Sequence, residues 1–266
     1  MPKSVRAQLY VTNRPGGGNG VVSEYNATTG TGINLRLITC STDEIDFGLA
    51  LLGNMLFVTD QSGFVGKYNA ATGATVNANF ITGLSVPKGI AVLDNTLFVA
   101  NGSSGTVGKY DARDGTAINP RFIMGLKQPE GLVVLGNALF VANFGSNTVG
   151  KYDARNGAAI NARFIAELNE PTGLALSGNN LFVANFGVGA NTIGEYDATT
   201  GDVINADFIT GLSAPKELAL LGNTLFVTNA GDGTVGTYDA TTGAAINPQF
   251  ITGLKFPFGI AVTSPK

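Results

Sequence analysis

Acid–base and electrostatic chemistry in this chain has to be carried by carboxylates and ammonium groups, because its 266 residues include no histidine and a single cysteine, Cys40. Imidazole catalysis, Ser–His or Cys–His dyads, His-ligated metals and intrachain disulfides are thereby excluded. The side chains whose types could recognise or transform a small molecule are Lys88, Glu130, Lys216 and Glu217, accompanied by Arg14 and by Phe47, Phe144, Phe186 and Phe258. Two lysines and two glutamates suit an anionic guest or general acid–base catalysis, with Glu217, Glu130 and Lys216 the candidate catalytic groups, or else solvated pairs, Lys88 with Glu130 and Lys216 with Glu217, that build no site. Cys40 has no histidine to activate it and reads as a small buried residue or an exposed thiol, not a nucleophile.

An internal repeat singles these residues out. A phrase beginning Leu-Phe-Val or Leu-Tyr-Val and ending in Asn or Asp starts at Leu9, Leu56, Leu97, Leu139, Leu181 and Leu225, returning every 41–47 residues. Each unit carries four short β-favouring runs, such as Ile90-Ala91-Val92, Leu97-Phe98-Val99, Val107-Gly108-Lys109-Tyr110 and the run 118–123, divided by Gly, Asn, Asp and Pro. Four strands in a unit of that length describe a propeller blade.

Units begin near 47, 88, 130, 172 and 216. The sixth is split: the phrase at Leu9 has no Gly-Ile-Ala-Val run before it, and the last such run, 259–262, has no phrase after it. The expected fold is therefore all-β, one domain over 1–266, a six-bladed propeller whose C-terminal strand (258–263) completes the blade begun by 7–38, which removes open sheet edges.

Gly-Ile-Ala-Val, Leu-Phe-Val-Ala-Asn and Thr-Val-Gly-Lys-Tyr-Asp resemble the NHL and YVTN repeats of β-propellers, and Tyr10-Val11-Thr12-Asn13 spells the second name. The resemblance spans nearly the whole chain. It implies the six-bladed architecture, related to that of gluconolactonase-like and strictosidine-synthase-like propellers, and leaves scaffold, binding and hydrolase or lyase functions open.

Copies this alike make their disagreements informative. The short turns after strands one and three of each unit barely change, whereas the connections after strands two and four vary, which places a variable face at one mouth of the central channel. Phe47, Lys88, Glu130, Thr172, Lys216 and Phe258 precede the innermost strands and should rim that mouth, with Lys88 across from Lys216. Arg14, Phe144 and Phe186 follow the repeated Asn and should adjoin them. Glu217 stands where the other copies have glycine. The loops 14–16 and 40–46 are longer than their counterparts and read as slack around the closure point or as a partial lid over one side of the mouth. The repeated Asn or Asp (Asn13, Asp60, Asn101, Asn143, Asn185, Asn229) reads as a turn cap rather than a cation ring.

The expected function is ligand or partner binding at this mouth, the guest being a small anionic or amphipathic molecule or a protein segment; a hydrolase, lyase or cyclase using Glu and Lys there is the alternative. No cofactor and no metal are expected. A net charge of -3 with scattered lysines argues against nucleic acid, and the apolar runs are too short to cross a membrane. The chain is expected as a monomer, cytoplasmic or a mature secreted form, since residues 1–5 lack the apolar core of a signal peptide.

Overall fold

Leu97, Phe98 and Val99 show why the repeat cannot stand alone: alternate side chains of a strand point to opposite faces, and all three are fully buried. Leu97 and Val99 pack with Phe57 and Val65 of the preceding unit, while Phe98 packs with Leu139 and Val141 of the following one. Each sheet must be covered on both sides, so each repeat needs two neighbours. Burial of one such phenyl contributes about 1.5–3 kcal/mol.

The computed structural model describes residues 6–14, 19–40 and 48–264. It contains six four-stranded antiparallel sheets. Blade three is typical, with strands Pro87–Leu93, Thr96–Asn101, Thr106–Asp111 and Ala117–Ile123 running from channel to periphery. The innermost strands of blades two and four to six are Leu49–Leu52, Pro129–Leu135, Pro171–Ser177 and Pro215–Leu221. Blade one is composite: Ile260–Val262 supplies its inner strand and pairs with Gln8–Asn13, matching Leu9 with Val262 and Val11 with Ile260. Gly259 N donates to Thr12 Oγ1 (2.7 Å) and Thr263 N to Gln8 O (2.9 Å), continuing the seam beyond the strand. Six apolar clusters fill the six seams between blades, including the 6–1 seam, where Phe226 and Val235 meet Leu9, Val11 and Tyr25.

The chain is an all-β six-bladed propeller. On one face lie the near-identical hairpins: Asp111 Oδ1 accepts from Arg113 N (2.8 Å), and Gly115, at φ 82°, closes the turn. The opposite face carries the variable loops.

Candidate functional site

Among the described residues, five of the variable loops bring the chain from an outer strand to the next inner strand through a tight turn. In five blades the residue before proline is left-handed: Val86 (φ 50°), Gln128 (47°), Glu170 (50°), Ala214 (52°) and Phe256 (47°). Such conformations cost about 1–3 kcal/mol each and persist only where the surroundings dictate them. Here backbone bonds do so, with Gly102 N on Val86 O (3.1 Å), Phe144 N on Gln128 O (3.1 Å) and Phe186 N on Glu170 O (3.2 Å). Lys88, Glu130, Thr172 and Lys216, each following its proline, are thereby the second residues of inner strands, and Phe258 lies two residues before Ile260–Val262.

There the side chains converge. Lys216 Nζ lies 3.5 Å from the centroid of Phe186 and 5.4 Å from that of Phe258, and Lys88, three blades away, places its Nζ 5.9 Å from the same Phe258 ring. Phe186 in turn meets Phe144 at 6.3 Å. Ammonium groups over ring faces gain about 0.5–2 kcal/mol each. Between blades three and four, Lys88, Glu130 and Phe144 line a pocket of about 220 Å³. Phe258 is 4% exposed, so it forms the floor under the two lysines instead of an open wall. Arg14 is half-buried on blade one, its N–H on Lys255 O (2.9 Å). Phe47 and most of the two long loops, residues 15–18 and 41–47, lie outside the described residues.

Below the mouth runs a channel of about 330 Å³, walled by Leu49, Ile90, Leu132, Leu174, Leu218 and Ile260, one from each blade. Among its described lining residues Glu217 alone is charged. Glycines at the same strand position explain its room: a Cβ on Gly173 would collide with Lys216 O and come within 2.6 Å of Glu217 Cα, and the Glu217 carboxylate, 3.1 Å from that point, leans over the space. Burial pushes the Glu217 carboxyl up to about 8, a donated bond from Leu218 N (3.3 Å) lowers it slightly, and nearby Glu130 raises it further. The raised value favours the protonated form of Glu217, which can then donate a hydrogen bond into the channel. One oxygen of Glu130 is itself buried.

Threonines hold this geometry: Thr172, expected at the rim, and Thr59 and Thr228, which sequence reasoning did not single out. Thr228 Oγ1 accepts from Glu217 N (2.9 Å) and donates to Phe258 O (2.8 Å), while Thr172 Oγ1 donates to Lys216 O (2.9 Å). Thr59 does the same for Gly48 N (2.6 Å) and Lys88 O (2.7 Å). For Thr59 and Thr228 the available signal was the alternation of Val-Thr with Val-Ala before the closing Asn or Asp: Thr occupies blades six, one and two, which flank the closure. The following Asn or Asp caps its turn, as Asp60 Oδ1 does by accepting from Ser62 N (2.9 Å). Cys40 is buried, and its thiol is pushed up to about 12 by burial and by Asp60, which removes it as a nucleophile. Among the described residues no cluster of three acidic or sulfur ligands could hold a metal.

A closed ring of six four-stranded sheets, with charged and aromatic side chains gathered at one mouth of its central channel, defines a β-propeller. Residues 18–247 match the family model described as outer membrane protein assembly factor BamB, and the chain belongs to that family. Among solved structures it is similar to a chain in the nidogen/laminin complex, with a TM-score of 0.76 and 16% identity over 96% of this chain and 98% of that one. It is also similar to the computationally designed Ika8 protein, with a TM-score of 0.55 and 16% identity over 94% of this chain and 74% of that one. At such identities the likeness is one of fold. No curated protein sequence matches the chain. Among the described residues no helix is long and apolar enough to cross a membrane.

Proposed function

We propose that this propeller, NHL- and YVTN-like in the wording of its repeats, is a binding protein whose variable mouth holds a small amphipathic anion. The observation that carries the reading is the meeting of Lys88 and Lys216, from opposed blades, over one phenyl ring at the entrance of a channel that carries one aliphatic side chain from each blade. An anionic head would lie between the two ammonium groups and an apolar tail would run along Leu218 and Leu174. Neutral Glu217 would not repel such a guest and could donate one hydrogen bond to it. A partner's acidic, apolar segment presents the same chemistry, and a family described by the words assembly factor is compatible with it.

The experiment is a calorimetric titration with octanoate and with a short acidic-apolar peptide. Lys88→Ala and Lys216→Ala should each weaken the binding about tenfold, roughly the loss of one charge-assisted hydrogen bond of 1.5–3 kcal/mol. Unchanged affinity in both variants would sink the reading.

One observation favours a second reading. A carboxyl with a pKa of about 8 beside another carboxylate has the protonation state of a general acid at neutral pH. If the mouth houses a hydrolase, lyase or cyclase, Glu217→Gln abolishes turnover while the guest still binds.

A further inference from the structure

The molecule binds ammonium groups three times over at its other face. Lys67 of blade two donates from Nζ to Ala112 O and Arg113 O of blade three, both at 2.9 Å, and lies 5.6 and 4.6 Å from the centroids of Phe57 and Phe80. Lys109 repeats the arrangement on Ala154 O and Arg155 O (both 3.0 Å), over Phe98 and Phe122. Lys151 does so on Ala198 O (2.8 Å) and Thr199 O (3.1 Å), over Phe140 and Phe164. Two turn carbonyls and two phenyl faces thus form a fixed receptor, and the lysine of one blade latches the next.

The remaining seams lack that lysine and solve the loss differently. In blade one Glu24 takes the lysine's position and accepts from Gln8 Nε2, while the neighbouring Tyr10 Oη donates to Ala70 O (3.1 Å) of blade two. Between blades five and six, Glu195 replaces it and accepts from Asn180 Nδ2 (2.6 Å). Between blades six and one the residue is Thr237, whose hydroxyl donates within its own blade to Asn247 O (3.3 Å) and does not reach blade one. The receptor persists there: Phe226 and Phe250 stand edge to face at 5.7 Å, and Ala27 and Thr28 occupy the turn positions of Ala112 and Arg113. A cleft of about 420 Å³ opens among Ala27, Thr28, Phe226, Thr237, Asn247 and Phe250.

We infer that this cleft at the 6–1 seam is a binding site for a primary alkylammonium group, supplied either as a free amine or as a lysyl side chain. Its –NH3+ would donate to the carbonyls of Ala27 and Thr28, and its methylenes would lie along the two rings, as the lysine stems do at the other seams. The turns that receive the lysines begin with Asp111, Asp153 and Asp197, whereas this one begins with Asn26, so the guest would be held by dipoles and rings without a nearby carboxylate. Binding in the millimolar range follows.

The test is an NMR titration of the full chain with n-butylamine, with Nα-acetyl-lysine amide and with n-butyltrimethylammonium, following the amides of residues 27–29 and 247. Saturable shifts with butylamine identify a site for free amines; saturation by the lysine amide alone identifies one for lysyl side chains; either supports the inference. The trimethylammonium, which has no N–H donor, should bind at least tenfold more weakly. Thr237→Lys should supply the ammonium internally, abolish binding and raise Tm, and Phe250→Leu, which removes a ring but fills the core, should weaken binding severalfold. No saturation by either amine, equal binding of the trimethylammonium, or affinity unchanged in both variants would overturn it.

Discussion

Glu217→Gln isolates the electrostatics of the channel. The carboxyl has a folded pKa of about 8 against 4.5 for an ordinary glutamate, so folding favours its protonated form. Below pH 4.5 both states hold the proton and no difference arises. As pH rises from 4.5 to 8 the unfolded chain releases it while the folded chain retains it, and stability falls; above 8 both are ionised and the loss levels off. A difference of that size corresponds to at most about 5 kcal/mol at 1.36 kcal/mol per pKa unit. The carboxyl is partly open to the channel, whose water screens it, so an observed loss nearer 2 kcal/mol is expected. The glutamine amide would keep the shape and hydrogen-bonding capacity of the protonated carboxyl but never ionises. Urea unfolding of both proteins at pH 4, 6, 7 and 9 should therefore give equal stabilities at the acid end and a variant about 2 kcal/mol more stable at pH 9, every other titration being common to the two. Parallel stability curves across that range would refute the placement of a half-buried, protonated carboxyl in the channel.

Deleting residues 259–266 should cost on the order of 5 kcal/mol and broaden or abolish the single unfolding transition, because it unpairs Gln8–Asn13 and opens the 6–1 seam; this is read by calorimetry. Lys109→Ala should destabilise by about 1–2 kcal/mol through loss of two charge-assisted bonds to blade four and of contact with Phe122, measured by urea unfolding. Phe140→Ala, which empties a seam at zero exposure, should cost about 3–5 kcal/mol in the same assay. Cys40 should resist thiol reagents at pH 8 in the native state and react at once in denaturant, as followed by mass spectrometry.

The architecture was legible in one dimension. A phrase such as Leu97-Phe98-Val99, apolar on both strand faces and repeated six times, can be buried only by sheets stacked on each side, and the unmatched runs at the two ends dictate closure. Substitutions that break the repeat, Lys88, Glu130, Lys216 and Glu217, also stand out without coordinates. Their chemistry does not. That Phe258 is a floor shared by two lysines, that desolvation raises the Glu217 pKa where Gly173 leaves it room in the channel, and that Lys67, Lys109 and Lys151 are latches while Thr237 leaves a cleft, all depend on contacts between blades some 40 residues apart. Periodicity specifies which residues share a position in the ring. Desolvation and ring–ammonium distances, which set charge state and affinity, exist only once the ring has closed.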